Sequence, residues 1–119
     1  DLIHVTGRVE DVQPYYEKST VCVIPLRAGG GTRLKILESM SLGRAVVSTS
    51  IGCEGISITD GENILLADDA QSFASQTIAL LQNKQKRESI AQIARQFVID
   101  HYDWDAITDS LLQAFETLD

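Results

Sequence analysis

Two stretches do most to limit the folds open to this chain. They are Thr20–Leu26, TVCVIPL, and Ala45–Ser50, AVVSTS. Each is a short, nearly unbroken apolar run closed by turn-forming or polar residues. A strand with one face in water alternates apolar and polar side chains. A strand covered on both faces does not have to, and it reads as a continuous apolar run. Both runs are too short for a helix of ordinary length, so they predict strands of a parallel sheet with helices packed on either face.

The segments around these runs fit that plan. Leu2–Thr6 reads as a strand ended by Gly7. Asp11 is placed to cap a short helix that carries Pro14 in its first turn, where a missing N–H costs little, and that runs to about Ser19. Thr32 is placed to cap a helix running to about Leu42, with Gly43 as its stop. Gly52–Asp60 reads as loop, and Ile64–Leu66 as the centre of a further strand. Asp69 begins a helix reaching about Asn83. Glu88–His101 spaces Ile90, Ile93, Ala94, Phe97 and Val98 as a helix does. Asp103 caps a last helix with Trp104, Ile107, Leu111, Phe115 and Leu118 on one stripe. The expected class is α/β, a partial Rossmann-like parallel sheet with flanking helices.

Composition restricts function more than fold. The chain has 119 residues, 44% hydrophobic and 23% charged, which suits one domain with a real core. Its formal net charge of −7 argues against a nucleic-acid surface. No apolar run is long enough for a membrane-spanning helix. Cys22 and Cys53 make no metal spacing, and Cys22, inside an apolar run, reads as a small core residue. The pair fits a reducing, cytoplasmic setting.

The candidate site is the stretch GGGTRLKILE, residues 29–38. It lies between a buried strand and a helix, and ligands of open parallel sheets bind beyond the carboxyl ends of the strands. Gly29, Gly30 and Gly31 let backbone approach a ligand closely. The helix start at Thr32 and Arg33 offers free N–H groups and the positive end of a dipole, which suit phosphate. Arg33 and Lys35 add positive charge, either for phosphate or simply for solvent. Glu38, about two turns beyond Gly31, could accept hydrogen bonds from paired hydroxyls such as those of a ribose. Phosphate at the loop and ribose at the carboxylate suggest a nucleotide. A glycine-rich turn before a solvated helix face reads equally well from these residues alone. The stretch is neither a Walker A loop nor GxGxxG. Glu54, in the loop GCEG, is a candidate to line the same cleft, or an ordinary loop residue.

The stretch PLRAGGGTRLKILESMSLGRAVVSTSIGCEG resembles the donor-binding half of the group 1 glycosyltransferases. IHVTGRVEDVQPYYEKSTVCVIPL before it and DGENILLADDAQSFASQTIALL after it agree. The resemblance covers nearly the whole chain. It implies the GT-B arrangement of two Rossmann-like domains, of which residues 1–119 would be part of the C-terminal, nucleotide-sugar-binding one. It also implies retaining transfer of a sugar from a nucleotide-sugar to a carbohydrate or lipid-linked acceptor, with no metal and no cofactor. The family carries two glutamates separated by seven residues. The second falls on Glu38, which by resemblance binds the ribose. The first falls on Gly30, a departure shared with a GGGTRLK branch in which backbone amides of Gly30–Arg33 stand in. Ala45 stands where the family often has Pro. No catalytic residue is assigned.

The resemblance further implies that the family's upstream phosphate-binding Arg and Lys, the domain's first strands and the acceptor domain lie outside these residues. The expectation is a donor-binding piece of a larger enzyme of polysaccharide or glycolipid assembly, inactive alone. The parent would be cytoplasmic and peripheral to the inner face of the membrane. In the parent fold the missing strands lie between Leu2–Thr6 and the rest of the sheet. Leu2–Thr6 is therefore expected to rearrange, to pair elsewhere, or to be exchanged in a strand-swapped dimer. Asp103-Trp104-Asp105 looks like the metal motif of other glycosyltransferases, but a helix cap followed by a first-turn acid explains it. The rival readings are a non-catalytic Rossmann-like interaction or regulatory module, and a flavodoxin-like or receiver-type domain. The latter is disfavoured because the strand ends read Gly7, Pro25 and Ser50 instead of an acidic cluster.

Overall fold

A computed structural model describes residues 2–29 and 33–117. Three parallel strands form one sheet in the order β1 (Val21–Ile24), β2 (Ala45–Ser48), β3 (Leu65–Leu66). Val21 lies opposite Ala45 and Ile24 opposite Ser48, while Val47 lies opposite Leu65. All four residues of β2 are buried, the burial its continuous apolar run predicts. Its side chains alternate between two cores. Val46 packs with Ile36, Met40, Ile64 and Ala94 on one face of the sheet. Ala45 and Val47 pack with Leu65, Leu80, Ile90 and Ala91 on the other. Each fully buried Ile or Leu contributes about 1.5–3 kcal/mol of burial free energy.

The helices are α1 (Gln13–Lys18), α2 (Leu34–Ser41), α3 (Ala70–Gln82), α4 (Lys84–Tyr102) and α5 (Trp104–Glu116), and α2, α3 and α4 cover these faces. Ile36 and Met40 of α2 enter the first core and Leu80 of α3 the second, while α4 reaches both through Ala94 and through Ile90 and Ala91. The N-cap of α1 is Val12, with no side-chain cap bond, and not Asp11 as expected; from one residue earlier Asp11 Oδ1 accepts from the Gln13 amide at 3.0 Å. Gly43 has φ +74°, and its amide donates to the Met40 carbonyl at 3.1 Å, so it stops α2 as expected. Asp69 caps α3 by accepting from the Ser72 amide at 2.8 Å. Among the described residues no helix is long and apolar enough to cross a membrane.

Several expectations need correction. Leu2–Thr6 forms no strand, and its apolar side chains Leu2, Ile3 and Val5 are exposed. Among the described residues it has not paired elsewhere either, since the sheet consists of β1, β2 and β3. Strand geometry persists only where a neighbour takes up its N–H and C=O groups. The helix expected from Glu88 begins at Lys84, because Asn83 accepts from the Lys86 amide at 3.0 Å and caps it four residues earlier than apolar spacing alone indicates. Asp103 stands at the N-cap of α5 but makes no side-chain cap bond. The stretch read as loop from Gly52 overlaps a 3-10 turn at Ile51–Cys53. The cap expected at Thr32 lies outside the described residues, as do Leu118 and the side chains of Trp104, Ile107 and Leu111 in the α5 stripe. Of that stripe, Phe115 is exposed.

Candidate functional site

The carboxyl ends of the three strands are tied together by short polar contacts. Thr49 Oγ1 donates to the Leu26 carbonyl at 2.5 Å and accepts from the Gly52 amide at 3.0 Å. The Thr49 amide donates to the Ile24 carbonyl at 3.2 Å, and the Ala67 amide to the Ser48 carbonyl at 3.0 Å. Ser50 donates to the Asp68 carboxylate twice, from its amide at 2.8 Å and its hydroxyl at 2.6 Å. These Ser50 bonds, the hydroxyl's first, hold the Asp68 carboxyl below its ordinary value.

The glycine loop joins this end of the sheet. Gly29 has φ +138°, a conformation that strains any residue with a side chain. An added Cβ would meet only Leu26 Cδ2, at 3.7 Å, so backbone conformation and not crowding requires the glycine. Gly30, Gly31 and Thr32 lie outside the described residues. Arg33 occupies the N-cap position of α2. Its Nη2 donates to the Gly29 carbonyl at 3.1 Å and lies 3.8 Å from Glu54 Oε2. The structure therefore brings Gly29, Arg33 and Glu54 together across two loops.

Lys35 and Glu38 sit on another side of α2. Lys35 is exposed and faces a groove of about 680 Å³ along the outer edge of β1, lined also by Val9, Tyr16, Cys22 and Ser39. Glu38 is half-buried and accepts from the Tyr16 hydroxyl of α1 at 3.3 Å. Burial raises the Tyr16 phenol above its ordinary value, the Ser39 hydroxyl works against this, and the Glu38 charge raises it further. The phenol thus stays protonated and able to donate. Burial also pushes both cysteine thiols up, Cys22 and Cys53 alike, so neither is an activated nucleophile. Among the described residues no group of three or more His, Cys, Asp or Glu side chains is arranged to hold a metal ion.

Two features escaped sequence reasoning. Tyr16 as the partner of Glu38 carries no local signal, because the two are 22 positions apart. A cavity of about 770 Å³ opens beyond the strand ends, between Leu26, Arg27, Ser50, Asp68 and Phe73. Only the rule that ligands lie beyond parallel strand ends pointed in its direction.

A parallel sheet covered on both faces, with a glycine turn and a helix start following the carboxyl end of β1, is a Rossmann-like α/β domain. It matches the C-terminal domains of GT-B glycosyltransferases. Residues 1–83 match the family described as glycosyl transferases group 1, and the chain belongs to that family. A 44.6 kDa protein in the cps region of Klebsiella pneumoniae is 33% identical over 104 residues, which are 87% of this chain and 27% of that protein. A glycosyltransferase of Methanocaldococcus jannaschii is 26% identical over 98% of this chain and 31% of its own length. The C-terminal domain of a group 1 family glycosyl transferase from Francisella tularensis superposes with a TM-score of 0.74 at 25% identity, over 86% of this chain and 53% of that one. Sucrose-phosphate synthase from Thermosynechococcus elongatus shares the fold with a TM-score of 0.74, over 90% of this chain and 27% of that one. The chain spans about a quarter to a third of the length of the curated relatives it matches.

Proposed function

We propose that this chain is the donor-binding part of a retaining glycosyltransferase. In this reading it takes a nucleotide-sugar, and the whole enzyme passes the sugar to a carbohydrate or lipid-linked acceptor in polysaccharide or glycolipid assembly. The supporting observation is Gly29 at positive φ between the end of β1 and the start of α2, the helix that carries Glu38. The diphosphate meets the glycine loop and the amides at the head of α2, where developing negative charge on the leaving group is stabilised. Lys35 adds positive charge from the first turn of the same helix. Glu38, held by Tyr16, receives the ribose hydroxyls. The parent works in the cytoplasm at the inner face of the membrane, without a metal or cofactor. The relative in the cps region accords with a polysaccharide role.

An amide-resolved NMR titration of this chain with UDP, GDP and ADP tests donor binding. Gly29 and the amides of Arg33 and Leu34 are expected to shift, with one nucleotide preferred. In the full-length enzyme, Glu38→Ala is expected to lower kcat/KM for the donor about 10- to 100-fold, since a hydrogen bond to a charged group contributes about 1.5–3 kcal/mol. An unchanged kcat/KM removes Glu38 from the site. No nucleotide response in either protein favours a non-catalytic module.

A further inference from the structure

The amino end of the sheet gathers cations, although the chain carries a formal net charge of −7. Lys18 ends α1, Arg44 stands just before β2, and Lys84, Lys86 and Arg87 open α4. The carboxylates of these same segments are Glu17 and Glu88, and Glu88 lies 3.8 Å from Lys84. Arg44 and Arg87 pair with no carboxylate among the described residues. The first turn of α4 has no acid, and its cations face the positive end of a helix dipole, where an anion is favoured. Arg44 and Arg87 line one cavity of about 330 Å³, together with Ser19, Thr20 and Glu88. Each guanidinium is held in place. Arg44 donates from Nη1 to the Ser19 carbonyl at 2.9 Å and from Nε to the Leu42 carbonyl at 3.3 Å. Arg87 Nη1 donates to the Leu80 carbonyl at 2.9 Å and to the Leu81 carbonyl at 3.3 Å. These bonds tie down the ends of α1, α2 and α3, and they occupy only part of each fork. Among the described residues Arg44 Nη2 and Arg87 Nε and Nη2 meet no protein acceptor.

We propose that the cavity between Arg44 and Arg87 is a phosphate-binding site, at the end of the sheet opposite the glycine turn. A guanidinium fork matches the oxygens of a phosphate, and two forks from different elements can grip one phosphate group. Because backbone carbonyls already hold both side chains, little ordering is left for the ligand to impose. Thr20 adds a hydroxyl, and Lys84 and Lys86 add positive charge beside the cavity. The ligand is a phosphate monoester or free phosphate, or the phosphate of a lipid headgroup. The site stands apart from the nucleotide-sugar reading and does not depend on it.

An amide-resolved NMR titration with inorganic phosphate, at ionic strength held constant with sodium chloride, tests the site. The Thr20, Arg44 and Arg87 amides are expected to shift saturably, while Arg8, a cation far along the chain from this cavity, stays put. Arg87→Gln is expected to weaken phosphate about tenfold or more. Arg44→Lys, which keeps the charge and loses the fork, should weaken it as well. Phosphate should raise the urea midpoint of the wild type and not that of Arg87→Gln, which separates lost binding from lost structure. Vesicles of phosphatidylcholine with phosphatidic acid distinguish the two sources. Sedimentation with these vesicles that Arg87→Gln abolishes assigns the lipid headgroup, and saturable phosphate shifts without sedimentation assign a soluble phosphate. Wild-type shifts that are absent, or that are as large at Arg8 as at Arg44 and Arg87, overturn the proposal. So does an unchanged phosphate affinity in Arg87→Gln.

Discussion

At Gly52 a hydrogen atom stands where a side chain cannot. A Cβ there would collide with Ser48 Oγ and lie 3.1 Å from Ile24 Cγ2 and 3.2 Å from the Ile24 carbonyl. Its φ is ordinary, so space alone makes the demand. Gly52→Ala is expected to destabilise the fold by about 1–3 kcal/mol, the usual range for overpacking, with a lower urea midpoint at unchanged slope. Full stability in this variant would mean that the turn after β2 yields more easily than its packing indicates. Tyr16→Phe should leave the fold near wild type and lower donor kcat/KM several-fold by freeing Glu38. Equal kinetics would confine Tyr16 to packing. Gly29, Arg33 and Glu38 were singled out from the sequence because they fall in one continuous stretch, residues 29–38. Tyr16 was not, since its role depends on how α1 packs beside α2.

Among the elements, α4 shows how a single polar residue sets a boundary that apolar periodicity cannot. The hydrophobic spacing begins at Ile90, but Asn83 accepts from the Lys86 amide and opens the helix at Lys84. Asn83→Ala is expected to cost about 1 kcal/mol, measured by urea denaturation. No loss would assign the helix start to packing of Ile90 and Ala91 alone. The strands β1 and β2 were legible for the opposite reason, as covered strands need no alternation to announce them. Leu2–Thr6 has strand composition, with Ile3 and Val5 on one face, yet it forms none. Composition records the preference of a segment, and a ladder needs a second chain segment in register beside it.

For the whole molecule, acid is the informative perturbation. Ser50 holds the Asp68 carboxyl below its ordinary value, and the Ser72 amide and hydroxyl do the same to Asp69. A carboxyl lowered in the folded state contributes its full stability above the unfolded value of about 3.9. That contribution is lost as pH falls through the folded value. The urea midpoint should therefore drop between pH 5 and pH 3, about the carboxylate range, and Asp68→Asn with Asp69→Asn should flatten the drop. An equal drop in the double variant would place the acid sensitivity elsewhere. The exposed Leu2–Val5 segment and the β1 edge, which among the described residues pairs only with β2, predict association of copies by strand exchange. Sedimentation velocity should show a dimer that Val23→Lys weakens, and a monomer at every concentration would exclude it. The sequence by itself determined the α/β class, the central strand and most helix limits, because each is written in residues close together along the chain. Only the tertiary structure decided that Tyr16 holds Glu38, that Arg33 turns toward Gly29 and Glu54, and that Leu2–Thr6 stays out of the sheet. Those outcomes depend on which segments meet in space, and packing and hydrogen-bond satisfaction act between segments that the sequence keeps apart.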